Sequence, residues 1–259
     1  AATIAAWISS ASSGSTSASS SSVIATTNST ESSRANPALA ARYVCNALRN
    51  ATDDERREIA NGARRGLVHG LVRLAAYTEA FPDAAWALAE LAAAENETWA
   101  NNASAEFVAR FQLHLSGTAT PYLERLAVLD GLLETDRPAL LSLAVTALAQ
   151  AGARQAVGWV DGATTPGPRP AAWRPATNQE HVDSMLAAFG RLEAAARRDV
   201  PEPALIDAAK RLAICLRNLS VHEAVAAVYR TAAAAHPSIR ESLRREVHRI
   251  ADDTVRLWK

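Results

Sequence analysis

Lysine is nearly missing from this chain of 259 residues: only Lys210 and Lys259 occur, so arginine supplies almost all of the positive charge. Basic and acidic residues balance at 27 each. A neutral chain lacks the global field that draws proteins to nucleic acid or anionic membrane, and the arginine skew reads as codon bias rather than an anion surface. Cysteine is as scarce. Cys45 and Cys215 each lie in an apolar helical pattern, with no CxxC pair and no dense framework. A reducing compartment and buried free thiols are expected, with a Cys45–Cys215 disulfide as the alternative. No apolar run reaches the roughly 18 residues that a transmembrane helix needs. Ala2 to Ile8 is too short, and lacks the basic flank, for a signal peptide. The sequence starts at Ala1 without methionine, which reads as a processed product, an excised domain or a fragment whose activity lies in another part. A cytoplasmic setting is expected, with secretion as the alternative.

Aromatics make up only 5% of residues although 49% are hydrophobic, so alanine and leucine carry the apolarity. Both favour helix and suit shallow helix–helix seams. Residues 9–33 are mostly serine, threonine and alanine, too polar to offset ordering entropy. Residues 1–35 are therefore expected to be a flexible tail or linker. From Asn36 the texture changes. Asn36-Pro37 is an N-cap with proline at the first helical position, and Leu39, Tyr43, Ala47 and Leu48 share one face. Thr52-Asp53-Asp54-Glu55 is a capping box. Pro82-Asp83 opens a helix with Trp86, Leu88, Leu91 and Ala92 inside. A helix is expected over Glu106–Leu115, ended by Gly117. The clearest hairpin has Leu123, Leu126, Leu129 and Leu133 facing Leu140, Leu141, Leu143, Ala144 and Leu148 across Asp136-Arg137-Pro138. Residues 36–160 form the first part of a helical array. Residues 161–179, with Pro166, Pro168, Pro170 and Pro175, form a long loop, and residues 180–259 form the second part. No stretch alternates with period two. The expected fold is all-α: antiparallel helical hairpins stacked as an irregular HEAT-like α-solenoid or helical array.

Catalytic and binding chemistry finds little to use. Gly62, Gly66 and Gly70 with Arg64, Arg65 and His69 suggest a phosphate loop, but the Lys-Ser/Thr ending and the preceding strand are missing. Glycines four apart share a helix face and are expected to permit close packing. The histidines (His69, His114, His181, His222, His236, His248) have no metal-ligand spacing. His181, Asp183 and Ser184 read as helix-start residues rather than a relay. No catalytic, cofactor-binding or metal-binding residue is assigned, no cofactor is expected, and the chain is read as non-enzymatic. Arg240, Arg244, Arg245 and Arg249 form a weak anion or nucleic-acid face, set among acidic residues at helical spacing. Asn28, Asn50, Asn96, Asn102 and Asn218 each begin an Asn-x-Ser/Thr triplet, which reads as helix capping or, in a secreted protein, as glycan acceptors.

The run Ala94-Glu95-Asn96-Glu97-Thr98-Trp99-Ala100-Asn101-Asn102-Ala103-Ser104 precedes Gly117-Thr118-Ala119 and the leucine-rich helix from Pro121. With the proline-rich loop closed by Arg174-Pro175-Ala176-Thr177-Asn178-Gln179-Glu180, it resembles the helical C-terminal region of bacterial NLR-like, or STAND, signalling NTPases, several of which resemble antiphage sensors. The resemblance spans roughly Thr52 to Trp258. It implies the sensing or scaffolding half of a switch, with any ATPase module outside this chain, since no Walker-type motif is present. The Ser-rich start departs from that pattern. A protein partner or trigger is then the expected ligand, contacted through the 161–179 loop by Trp159, Trp173 and Arg174, because exposed tryptophans anchor interfaces. A loop pinned to the array by its own tryptophans is the competing reading. The rival functions are a secreted or surface glycoprotein with a Ser/Thr-rich stalk and a nucleic-acid-binding helical repeat.

Overall fold

A computed structural model describes residues 36–152 and 170–257; the 1–35 segment, Trp159 and residues 161–169 of the proline-rich loop lie outside the described residues. Within them the chain is all-α, with no strand. The helices are α1 (Pro37–Asn50), α2 (Asp53–Glu58), α3 (Asn61–Leu74), α4 (Phe81–Ala93), α5 (Ala103–Ala109) and α6 (Tyr122–Leu133). There follow α7 (Pro138–Ala149), α8 (Asn178–Ala195), α9 (Glu202–Leu212), α10 (His222–Ala235) and α11 (Arg240–Leu257). Short 3-10 turns extend α7 and α9 and precede α11.

The helix starts are chemically specified. Asn36 Oδ1 accepts from the backbone N–H groups of Ala38 and Leu39 at 3.0 and 3.3 Å. At α2 the capping box closes both ways: Thr52 N–H donates to Glu55 Oε2 at 2.8 Å, and Glu55 N–H to Thr52 Oγ1 at 3.2 Å. Asn102 and Thr177 cap α5 and α8 through Ala105 N–H and Glu180 N–H, each at 3.0 Å. Such caps satisfy amides that the helix itself leaves open.

α4 and α7 are buried on nearly every side, as their unbroken alanine and leucine demand. α4 packs against α1, α2, α3, α5, α6 and α7; α7 packs against α4, α5, α6, α8 and α9. α4 packs on α5, α6 on α7, α1 on α3 and α10 on α11. The other principal contacts run to helices nearby along the chain, α1 to α4, α7 to α9 and α8 to α10, whereas α8 and α9 pack on other helices rather than chiefly on one another. One continuous apolar core threads all of them, from Ala41 to Leu243.

Several inner faces differ from those the pattern implied. α1 buries Ala41, Val44, Cys45 and Leu48 and leaves Leu39 and Tyr43 exposed. α6 buries Tyr122, Arg125, Leu126 and Leu129, which turns Leu123 outward. The helix expected over Glu106–Leu115 ends at Ala109. Beyond it Arg125 Nη1 donates to the Arg110 and Gln112 carbonyls at 2.6 and 2.9 Å, taking up acceptors that a longer helix could have used. Nothing lies within 4 Å of a Cβ built on Gly62, Gly66 or Gly70, so these glycines face open space and serve no close packing. α3 turns Leu67, Val68 and Leu71 inward instead. Cys45 and Cys215 are both buried and are not joined to one another in a disulfide; Cys215 Sγ donates to Gly152 O at 3.3 Å.

Candidate functional site

Buried arginines set the electrostatics of the interior, and they are neutralised in different ways. Arg56 meets Glu90 at 2.9 Å and Asp53 at 2.6 Å, and its Nε donates to Leu48 O at 2.8 Å. Arg137 completes the group, with Nη1 at 2.7 Å from Glu90 and Nη2 at 3.2 Å from Asp53. Two guanidinium groups and two carboxylates thus tie the end of α1 and all of α2 to α4 and the start of α7 in a neutral network. Arg64 is fully buried. It donates to the carbonyls of Arg56, Ile59, Leu91 and Ala94 and pairs with Glu95 at 3.3 Å. Glu95 also accepts from the amides of Asn96, Glu97 and Ser104, so the acidic-Asn-Trp run quoted above is a connector folded around one carboxylate. Trp99 at its centre lies under Arg65 and edge-on to His69.

Arg125 is different. Its side chain is fully buried, and Nη1 is held by the two carbonyls named above. The guanidinium lies over the rings of Tyr122 at 4.9 Å and Trp173 at 5.3 Å. Those rings stack on one another with centroids 6.4 Å apart. Cation–π contact stabilises a desolvated guanidinium, yet no carboxylate pairs with it among the described residues. Burial pulls its pKa down to about 10, and the nearby Arg110 adds to that. The Tyr122 hydroxyl is pushed up by burial. Tyr122 Oη, Gln112 Oε1, Ser116 Oγ and Arg125 Nε and Nη2 are all buried without a hydrogen-bond partner among the described residues.

The connector from Arg110 to Pro121 that forms the wall of this site is irregular. Gly117 adopts φ +71°, and a Cβ there would lie 2.8 Å from Arg110 Nη1; only glycine meets both demands. Arg110 Nη2 in turn reaches Glu106 at 3.2 Å, and burial raises the Glu106 pKa against the opposing pull of Arg110. Trp173 N–H donates to Thr118 O at 2.8 Å, pinning the segment before α8 onto this connector.

Of the residues singled out from sequence, Trp173 is therefore half-buried and locked against Tyr122 and Arg125, while its neighbour Arg174 is exposed. Trp159 falls outside the described residues. On α11, Arg244 and Arg249 pair with Glu241 at 3.7 Å and Glu246 at 3.1 Å. Arg245 reaches Ser242 Oγ, and Arg240 reaches Ala233 O. His181 contacts His114, with ring centroids 5.2 Å apart, whereas Asp183 accepts from Gln179 and Ser184 is buried, so no relay is assembled. No group of His, Cys, Asp and Glu suited to a metal occurs among the described residues. The amides of Asn96 and Asn102 donate to Arg57 O and Glu97 O. No described helix is long and apolar enough to cross a membrane.

Sequence reasoning missed Tyr122 and Arg125. The available signal was an arginine placed on the inner stripe of a leucine-rich helix, one position before Leu126. No family model matches the chain, and no curated protein or solved structure is similar to it at a significant level.

Proposed function

We propose that this chain is a non-enzymatic scaffold, a HEAT-like stack of helical hairpins that docks a protein partner or trigger beside the Trp173 segment. The larger system in this reading is a bacterial STAND-type signalling NTPase whose motor lies elsewhere, and the setting is cytoplasmic. The observation that carries the scaffold reading is the ladder of contacts: helices pack chiefly on helices nearby along the chain, which is how repeat arrays bury a continuous core. Buried cysteines that are not joined to one another are in keeping with a reducing compartment.

Docking is assigned to the rim of the Trp173 segment because Arg174 is exposed there and unpaired among the described residues. Arginine is enriched at interface anchors. Trp173 holds the segment in place and Arg174 is the contacting group. The test compares the chain with its Arg174→Glu variant in affinity capture from the native source, quantified by mass spectrometry. A partner lost on charge reversal, with the thermal melt unchanged, supports the reading. Equal retention of every captured protein by the variant refutes it.

A further inference from the structure

Arg125 is a buried arginine that meets no carboxylate among the described residues and leaves a whole edge open. Arg56 meets two carboxylates, Arg64 meets Glu95, and Arg110 meets Glu106, whereas Arg125 has two carbonyls and two aromatic faces. All of its hydrogen bonds leave from Nη1; Nε and Nη2 make none. In a guanidinium the Nε–H and one Nη2–H point the same way along one edge, forming a parallel two-donor fork that matches the two oxygens of a carboxylate. Buried donors are rarely left open, because an unpaired one costs about 1–3 kcal/mol and more when charged.

We propose that the Nε/Nη2 edge of Arg125 is the binding edge of a site for a small free carboxylate, roofed by Trp173. Several features of the site favour that class. The fork requires two oxygens in one plane. The guanidinium lies against the stacked Tyr122 and Trp173 rings, and a carboxylate paired with its edge is coplanar with it. Arg125 itself meets no carboxylate among the described residues, so an anion on its open edge would be its counter-charge. The Tyr122 hydroxyl, buried and unbonded on a ring that Arg125 lies over, is a further donor of the kind a carboxylate uses. Entry requires Trp173 to swing aside. It lies outside any helix and is fastened by its ring and by its amide bond to Thr118. Complete burial of Arg125 beneath it favours a small free acid over the side chain of a docked protein. The inference is independent of the docking assigned to Arg174.

The test titrates the full chain with sodium acetate and sodium formate, against sodium chloride and sodium phosphate at matched ionic strength and pH 7. NMR follows the arginine Nε–H signals, and the Arg125 signal is assigned by its loss in Arg125→Lys. Acetate or formate should move that signal downfield in a saturable way and raise the melting temperature by several degrees at high saturation. Arg125→Lys keeps a cation but loses the fork, and should bind at least about tenfold more weakly. Tyr122→Phe keeps the ring and should weaken binding roughly three- to tenfold. It also serves as the folded control should Arg125→Lys melt early. A signal that acetate and formate leave unmoved up to ~100 mM overturns the proposal, as does phosphate binding as tightly as acetate, or an Arg125→Lys variant that is folded and binds as well as the parent.

Discussion

At the scale of single residues, Trp173 and His181 yield the sharpest expectations. Trp173 has two roles at once, covering a buried cation and pinning the chain through Thr118. Trp173→Ala should lower unfolding free energy by about 2 kcal/mol, below the full core value because the ring is half-buried. Urea denaturation measures this, and a loss under ~0.5 kcal/mol would contradict the packing. His181 titrates in the opposite sense from a paired histidine. Desolvation first, and then His114, hold its pKa below the ordinary 6.5; His69 is lowered as well, by burial and then by Arg65 and Arg73. Below pH 6.5 the unfolded chain therefore binds protons that the folded chain resists, so stability is full above that pH and falls as the solution is acidified. His181→Gln should flatten part of the decline between pH 7 and 5 in a series of thermal melts. An unchanged pH slope in the variant would remove His181 from the account. The pinning by Trp173 was one of the two readings the loop offered, but the His181 effect was not legible, because a histidine near a helix start does not announce that a second imidazole from a distant connector packs on it.

Helices and their connectors obey rules that act over a few residues, and here sequence reading did best. Asn36, Thr52, Asn102 and Thr177 cap as their side chains dictate. Thr52→Ala removes the side-chain half of the capping box, leaving the backbone N–H of residue 52 to donate to Glu55, and should cost about 1 kcal/mol, seen as faster hydrogen exchange at Glu55. The failures also have a local form. Regular periodicity continues the α5 pattern through Leu115, but Arg110 and Gln112 give their carbonyls to Arg125, and tertiary bonding prevails over helix propensity. Gly117 is the hinge of that connector. Gly117→Ala meets both an unfavourable φ and the Arg110 guanidinium, and should cost about 1–3 kcal/mol. A melt indistinguishable from the parent would mean that the connector relaxes freely.

Across the whole molecule, long-range ties decide how the pairs add up. Glu90, on the buried α4, joins Arg56 from the first part of the array to Arg137 at the start of α7. Glu90→Ala leaves two guanidinium groups with one carboxylate, Asp53, and should cost about 3–5 kcal/mol; Glu90→Gln should cost less. If chemical denaturation places the alanine variant within ~1 kcal/mol of the parent, the network is not what couples these pairs. What the sequence determined alone was the helical class, the capped starts, the hairpin of α6 and α7 and the lack of any familiar catalytic pattern, because each follows from propensity, caps and periodicity over a few turns. Only the tertiary structure decided which stripe of α1 and α6 faces inward, where α5 stops, and that Tyr122, Arg125 and Trp173 meet. Those outcomes depend on which of two chemically similar faces finds the better neighbour, and on whether a buried charge finds carbonyls and rings contributed from far along the chain.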